Sequence, residues 1–204
     1  MDGIENIELE DIEMANKLDY RIKLLGITEI INNKLFERVH PCLIKKDNYI
    51  ANINGVMNAV ILEGLPVGQN VLQGEGAGPG PTSSALMSDL LSILRGNIKY
   101  PFGIPSYKRK KINSYNKNLY LNSFYLRFEV KDKPGVLSSI TKIFAKNKIS
   151  IKNLIQKPDK KKNKASIIIL THENIEKNFN NLFINLSKNK YILKKPTFIR
   201  IEEV

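Results

Sequence analysis

The sequence contains very few residues of the kinds that build redox centres and structural metal sites. Cys42 is the only cysteine, so no disulfide can form within the chain, and His40 and His172 are the only histidines. Structural zinc is held by a tetrahedral set of sulfur and nitrogen ligands. These counts argue against redox and zinc-binding roles, and we predict no metal site.

Long apolar runs are also absent. No stretch approaches the roughly 18 consecutive apolar residues that cross a membrane, and the first residues are acidic where an export signal would be basic and then apolar. With 42% hydrophobic and 25% charged residues, the composition is typical of a folded globular protein. We therefore expect a soluble, cytoplasmic protein of two small domains that does not bind membranes.

Arginine is scarce although the chain is strongly basic. The formal net charge is +12, yet only six of the 32 basic residues are arginine, the side chain that best recognises bases and phosphates. The basic run Lys108–Lys111 is typical of a solvated surface, with an acidic partner as the alternative. A nucleic-acid-binding module would need an aromatic or arginine-lined surface that the sequence does not display. Nucleic acid is therefore not a predicted partner.

Residues 1–100 have the pattern of an α/β unit. Apolar residues at helical spacing predict a short helix from Asp11 to Leu18, and a second helix, capped by Thr82–Ser84, that ends at Gly96. The predicted strands are Ile22–Ile31, Phe36–Ile44, Val56–Leu62 and a brief strand around Val71 and Leu72. The glycine-rich segment Gly74–Pro81 connects the last strand to the second helix.

Residues 101–121 are predicted to form a linker, because proline, glycine, lysine and asparagine replace the apolar pattern. Residues 122–204 then alternate strands and helices in the order β-α-β-β-α-β. The predicted elements are a strand from Asn122, a helix from Val136, strands at Ile149–Gln156 and Ser166–Leu170 around a basic loop at Lys157–Lys164, a helix at Ile175–Leu186 and a strand at Tyr191–Ile201. This order gives a ferredoxin-like, four-stranded antiparallel sheet with both helices on one face, so the fold class is α/β (α+β).

Glycines mark the first candidate site, where Gly76-Ala77-Gly78 precedes the predicted Thr82 helix. A glycine-rich loop at a helix N-terminus lets backbone amides approach an anionic or polar ligand. A tight connection between strand and helix would have the same composition, so both interpretations stay open. The loop is not the dinucleotide fingerprint, because no βαβ unit with a downstream acidic residue surrounds it.

The order of several short motifs resembles the last part of the homoserine dehydrogenase catalytic domain. These motifs are Gly3-Ile4, Asp11-Ile12, Lys23–Gly26, His40-Pro41, Asn54–Val60, Gly74–Gly78, Pro81-Thr82 and Asp89-Leu90. The resemblance implies NAD(P)-dependent interconversion of L-homoserine and L-aspartate 4-semialdehyde in threonine and methionine biosynthesis. It also implies that Gly78 contacts the cofactor, with Gly76 and Thr82 as weaker neighbours. It also places the cofactor fingerprint, the catalytic lysine and the substrate carboxylates upstream of this segment, so no catalytic residue is assigned here and the chain alone is expected to be inactive.

The segment Asp132-Lys133-Pro134-Gly135-Val136-Leu137 resembles the ligand-binding turn of an ACT domain, an amino-acid-sensing module often appended to this dehydrogenase. The resemblance implies an effector site at Asp132, Pro134, Gly135, Val136 and Leu137, with Gln156 as a contact across a dimer interface. The turn and helix N-terminus would offer free amides to a ligand carboxylate. In the alternative interpretation, Asp132 caps the helix and Gly135 only permits the turn.

The predicted sheet of residues 122–204 also indicates that the chain associates with other chains. One sheet with helices on a single face leaves its other face or an edge strand uncovered, so we expect a homo-oligomer, or association with a separate N-terminal fragment. The alternative function is a stand-alone amino-acid-binding regulatory subunit without catalysis of its own. His40 and Asp89 are interpreted as structural, because neither has an identifiable catalytic partner in the sequence.

Overall fold

The computed structural model describes residues 3–97, 99–100, 103–159 and 163–203. The chain forms two compact units. The first, here called the sheet unit, contains residues 1–51 and 113–204, and the second, the hairpin unit, contains residues 52–112. Among the described residues, no helix is long and apolar enough to span a membrane.

The sheet unit is built on one mixed sheet. Its helices are α1 (Leu9–Lys17), α3 (Val136–Lys146) and α4 (Glu176–Ser187), and its strands are β1 (Tyr20–Ile31), β2 (Lys34–Lys45), β5 (Leu121–Lys131), β6 (Ile151–Asp159), β7 (Lys164–Thr171), β8 (Asn174–Ile175) and β9 (Thr197–Ile201). The strand order is β1-β2-β9-β5-β7-β6, and β8 pairs with the start of β5.

The predicted β-α-β-β-α-β unit is confirmed in the part of this sheet made by β9, β5, β7 and β6. These four strands pair antiparallel. The helices α3 and α4 pack on one face through Val136, Ile140, Phe144, Phe179 and Leu182, against Phe124, Leu126 and Phe128 of β5 and Ile167 and Ile169 of β7. Alternation along β5 thus turns Phe124 and Phe128 towards α3 and α4, and Tyr125 towards the opposite face.

The last strand is shorter than predicted. It begins at Thr197 and not at Tyr191, because residues before it make only an isolated bridge between Ile192 and Val130. The predicted basic loop at Lys157–Lys164 is also shorter, since β6 continues to Asp159 and β7 starts at Lys164. Residues 160–162 of that loop lie outside the described residues.

The sequence predicts that either the opposite face or an edge strand of this sheet is left uncovered. The face is covered by α1, and β6 is the edge strand that ends the strand order. Met14 and Ala15 of α1 pack against Tyr125, Ile168 and Ile199. The β9 edge is covered too, because β2 pairs parallel with β9 at Cys42–Arg200 and Leu43–Ile201. The sheet unit is made of two segments of the chain, because residues 52–112 between them form the hairpin unit. The domain bounds at residues 100 and 122 stay a prediction.

Part of the predicted linker lies against the sheet unit. The amide of Leu35 donates to the Asn113 carbonyl at 2.9 Å, and the Tyr115 amide donates to the Leu35 carbonyl at 2.7 Å. The ring of Tyr120 stacks on Phe36 with a centroid separation of 4.0 Å. Residues 113–120 thus continue the packing of β2, with a short 3₁₀ turn at Lys117–Leu119.

The hairpin unit consists of β3 (Met57–Gly64), β4 (Gly68–Glu75) and α2 (Pro79–Leu94). Strands β3 and β4 pair antiparallel from Met57–Glu75 to Gly64–Gly68. The helix begins three residues before the predicted Thr82, because Gly78 is the N-cap and the fixed φ of Pro79 suits a first helical turn. It ends at Leu94, and Gly96 follows in the left-handed region as expected.

Candidate functional site

The glycine-rich loop connects β4 to α2 in the hairpin unit. Gly78, the N-cap of α2, has φ 121° and ψ 158°, a region that only glycine occupies readily. Its carbonyl accepts the Thr82 amide at 3.2 Å, which is the first bond of the helix. The residues of the loop are exposed, so their backbone is open to a ligand.

The backbone amide of Gly76 is already hydrogen-bonded within the hairpin unit. This amide donates to the Val56 carbonyl at 3.0 Å, and a Cβ placed on Gly76 would lie 2.6 Å from Cγ of Asn58. A side chain at position 76 would therefore require the exposed Asn58 amide group to move. Because the Gly76 amide already has an acceptor, Gly78 and the Thr82 side chain are the members of the predicted set that remain open to a ligand.

The residues of the second predicted site surround one cavity in the sheet unit. It has a volume of about 410 Å³ and is lined by Asp132, Pro134, Gly135, Val136, Leu137 and Gln156, together with Val130, Lys131, Lys133 and Ile167. Gln156 reaches this cavity because β6 pairs with β7 in the register Gln156–Ile167, which brings it beside the turn that follows β5.

The turn ahead of α3 shapes this cavity. Gly135 is the N-cap of the helix with φ 86°, and the Val136 amide donates to the Lys133 carbonyl at 3.3 Å. The amides of the first helical turn have no acceptor inside a helix that starts at Val136. Buried Val130, Val136 and Ile167 form an apolar floor, so the cavity offers polar backbone on one side and hydrocarbon on the other.

The two residues interpreted as structural lie outside both loops. His40 is fully buried on β2, with Nε2 3.2 Å from Oε1 of Glu202 and Nδ1 3.1 Å from the Pro41 carbonyl. Asp89 is exposed on α2. Among the described residues, no three His, Cys, Asp or Glu side chains converge so as to hold a metal ion.

Comparisons with known proteins identify both parts of the chain. Residues 1–91 match the family model for homoserine dehydrogenase, and residues 124–182 match that for the ACT domain. The homoserine dehydrogenase of Helicobacter pylori is 37% identical over 202 residues, which are 99% of this chain. That of Neisseria gonorrhoeae is 34% identical over the whole chain. The chain belongs to the homoserine dehydrogenase family.

Solved structures of homoserine dehydrogenases have the same fold. The enzyme from Thiobacillus denitrificans aligns with a TM-score of 0.84 at 35% identity over 98% of this chain. The Staphylococcus aureus enzyme at pH 7.0 aligns with a TM-score of 0.61 at 24% identity, which shows the shared fold. The chain spans about half the length of the curated relatives it matches, since it covers 48% of each of the two named above.

In this homoserine dehydrogenase segment, one lysine of the Lys23–Gly26 motif has an altered pKa. Burial, and secondly the charge of Arg21, lower the pKa of Lys23 on β1. The pairing of β1 with β2 places Lys23 opposite Cys42.

Proposed function

We propose that this chain contributes the C-terminal part of a homoserine dehydrogenase that interconverts L-homoserine and L-aspartate 4-semialdehyde with NAD(P). The supporting observation is the continuous similarity to homoserine dehydrogenases over 99% of the chain. This activity belongs to threonine and methionine biosynthesis, and we expect it in the cytoplasm. The NAD(P) cofactor supplies the hydride chemistry, and the chain's own residues supply binding and orientation.

The loop before α2 fits a role beside the cofactor. Gly78 has no side chain to hinder an approaching ring, and its backbone is exposed. The Thr82 hydroxyl lies in the first helical turn, where the positive end of the helix dipole favours an anionic or polar group. Gly76 would support this loop by packing on Asn58 rather than by touching the cofactor.

The test is homoserine-dependent reduction of NAD(P) by the 204-residue chain, alone and mixed with the dinucleotide-binding half of a homoserine dehydrogenase. We expect no turnover by the chain alone and turnover in the mixture. Thr82→Val and Gly78→Ala should lower kcat/KM, whereas Gly80→Ala, whose Cβ would meet open space, should not. A mixture that binds amino acids yet never turns over would favour a stand-alone regulatory subunit instead.

The second part of the proposal is that the cavity at Asp132–Leu137 binds a small amino acid such as threonine. The first-turn amides of α3 suit a ligand carboxylate, and the apolar floor suits a short side chain. Gln156 is exposed on β6, the strand at the end of the sheet. Pairing of two copies along β6 would cover that edge and enclose the cavity, so the effector would favour one pairing geometry with a coupling of about 1–3 kcal/mol.

Calorimetric titration of the chain with L-threonine, combined with sedimentation, tests both halves of this proposal. Gln156→Ala and Asp132→Asn should weaken binding, while Lys152→Ala, an exposed change on the same strand β6, should leave it unchanged. A monomeric chain that binds no amino acid would contradict the proposal and leave the ACT domain as a structural appendage.

A further inference from the structure

A second cavity in the sheet unit shares no lining residue with the Asp132 cavity. It also has a volume of about 410 Å³ and lies beside α4 and β9. The helices α3 and α4 cover the sheet over β5 and β7, whereas β2 widens the sheet beyond β9. The helical layer is therefore narrower than the sheet, and the space over β9 beside α4 is lined in addition by Gly3, Asn6 and Ile7 ahead of α1 and by Pro41 of β2.

One wall of this cavity is aromatic. The rings of Phe183 on α4 and Phe198 on β9 stack with a centroid separation of 3.8 Å and an interplanar angle of 20°. Phe124 contributes a buried ring from β5, 5.3 Å from that of Phe183. Such a wall favours a flat or branched hydrocarbon group, because contact with the rings removes apolar surface of that group from water.

The other wall is cationic. Lys195 is exposed in the segment ahead of β9, and Arg200 lies above the Phe124 ring at 5.2 Å. Arg200 is held in place by an ion pair with Glu176, whose carboxylate also accepts from the Asn122 amide at 2.6 Å. The Arg200 side chain remains 16% exposed. Among the described residues, no aspartate or glutamate lines the cavity.

We propose that this cavity is a second ligand site, and that it binds a small carboxylic acid with an aromatic or branched apolar body. The carboxylate would accept a charge-assisted hydrogen bond from the exposed Lys195 ammonium, and Arg200, already paired with Glu176, would contribute its charge nearby. The body would lie against Phe183 and Phe198. The volume of about 410 Å³ is within the usual range for small-molecule pockets. Inorganic anions would leave the aromatic wall uncovered.

The test uses 3-phenylpropanoate as the probe and 3-phenylpropan-1-ol as its uncharged analogue, titrated into the 204-residue chain by calorimetry. We expect saturable binding of 3-phenylpropanoate and no saturable binding of 3-phenylpropan-1-ol. Lys195→Met should weaken it roughly tenfold or more, because one charged hydrogen bond is lost. The matched control is Lys194→Met, since the neighbouring lysine pairs with Glu129 at 3.3 Å and does not line the cavity.

A second variant tests the location. Asn180 is exposed at the rim, so Asn180→Trp should fill the opening and abolish binding without touching the core, as an unchanged circular dichroism spectrum would verify. Saturating L-threonine should leave the affinity for the acid unchanged. Equal binding of the alcohol, full competition by threonine, or unaltered affinity in both Lys195→Met and Asn180→Trp would each overturn the proposal.

Discussion

Removal of the Arg127 side chain should destabilise the sheet unit strongly, because this arginine joins α1 to the centre of the ACT sheet. Its Nε and Nη2 donate to the two carboxylate oxygens of Asp11 at 2.6 and 2.9 Å. The Asp11 side chain is fully buried and that of Arg127 is 7% exposed. The Tyr125 hydroxyl donates to the same carboxylate at 3.0 Å. Burial lowers the pKa of Arg127, but the hydrogen bonds and the negative charge of Asp11 outweigh it and raise the pKa above its ordinary value.

The expected loss of stability depends on the groups that lose the Arg127 guanidinium as a partner. Breaking a buried ion pair by removing one partner costs about 3–5 kcal/mol. In Arg127→Met, Asp11 would keep the Tyr125 hydroxyl and the Glu8 amide, which donates at 2.9 Å. The carboxylates of Glu8 and Glu10, which lie 3.1 and 3.6 Å from Arg127, are partly exposed and would be solvated by water. We therefore expect the lower end, about 3 kcal/mol, which lowers Tm by roughly 6 to 12 °C in a chain of this size.

Urea and thermal unfolding of the whole chain, followed by circular dichroism, would measure this change. The double variant Asp11→Leu/Arg127→Met should regain part of the loss, because no unpaired charge stays buried, although the Tyr125 hydroxyl and the Glu8 amide lose their acceptor. Lys164→Met is the matched control on the same sheet: Lys164 pairs with Glu129 at 2.7 Å, but these side chains are 40% and 24% exposed, and such pairs contribute less than about 1 kcal/mol. An unchanged Tm in Arg127→Met would refute the reasoning.

Three further predictions concern single positions. Gly78→Ala should destabilise the hairpin unit by about 1–3 kcal/mol, because alanine avoids φ 121°, and a change no larger than that of Gly80→Ala in urea unfolding would contradict this. Burial raises the pKa of the Cys42 thiol to about 12, so at pH 8 about one thiol in 10⁴ is ionised. A disulfide reagent should therefore label Cys42 only after unfolding, and rapid labelling of the native chain would argue against this burial. Arg21→Gln should raise the pKa of Lys23 by removing a like charge. Acetylation of Lys23, measured by mass spectrometry as a function of pH, should then have a higher pH midpoint, and a lower midpoint would contradict the assigned cause.

Local patterns were sufficient for much of the fold, whereas the residues around the Asp132 cavity were named from the resemblance to an ACT domain. Helical spacing of Val136, Ile140 and Phe144 predicted α3, and alternation in β5 predicted a strand with one face on the helices. These signals are encoded over a few residues, because backbone geometry repeats with a period of about 3.6 residues in a helix and about 2 in a strand. The turn at Pro134–Gly135 is equally local, since its proline and glycine restrict or permit specific backbone angles.

Long-range pairing was decided only in the tertiary structure. Nothing near Asp11 or Arg127, 116 residues apart, indicates that they meet, and nothing near Cys42 indicates that β2 would extend the ACT sheet beside Arg200. Such contacts depend on which apolar surfaces remain uncovered once the local elements have formed. The same reason explains the second cavity. Its aromatic and cationic walls come from α4, β5, β9 and the segment ahead of β9, and they meet only where the sheet is wider than its two helices.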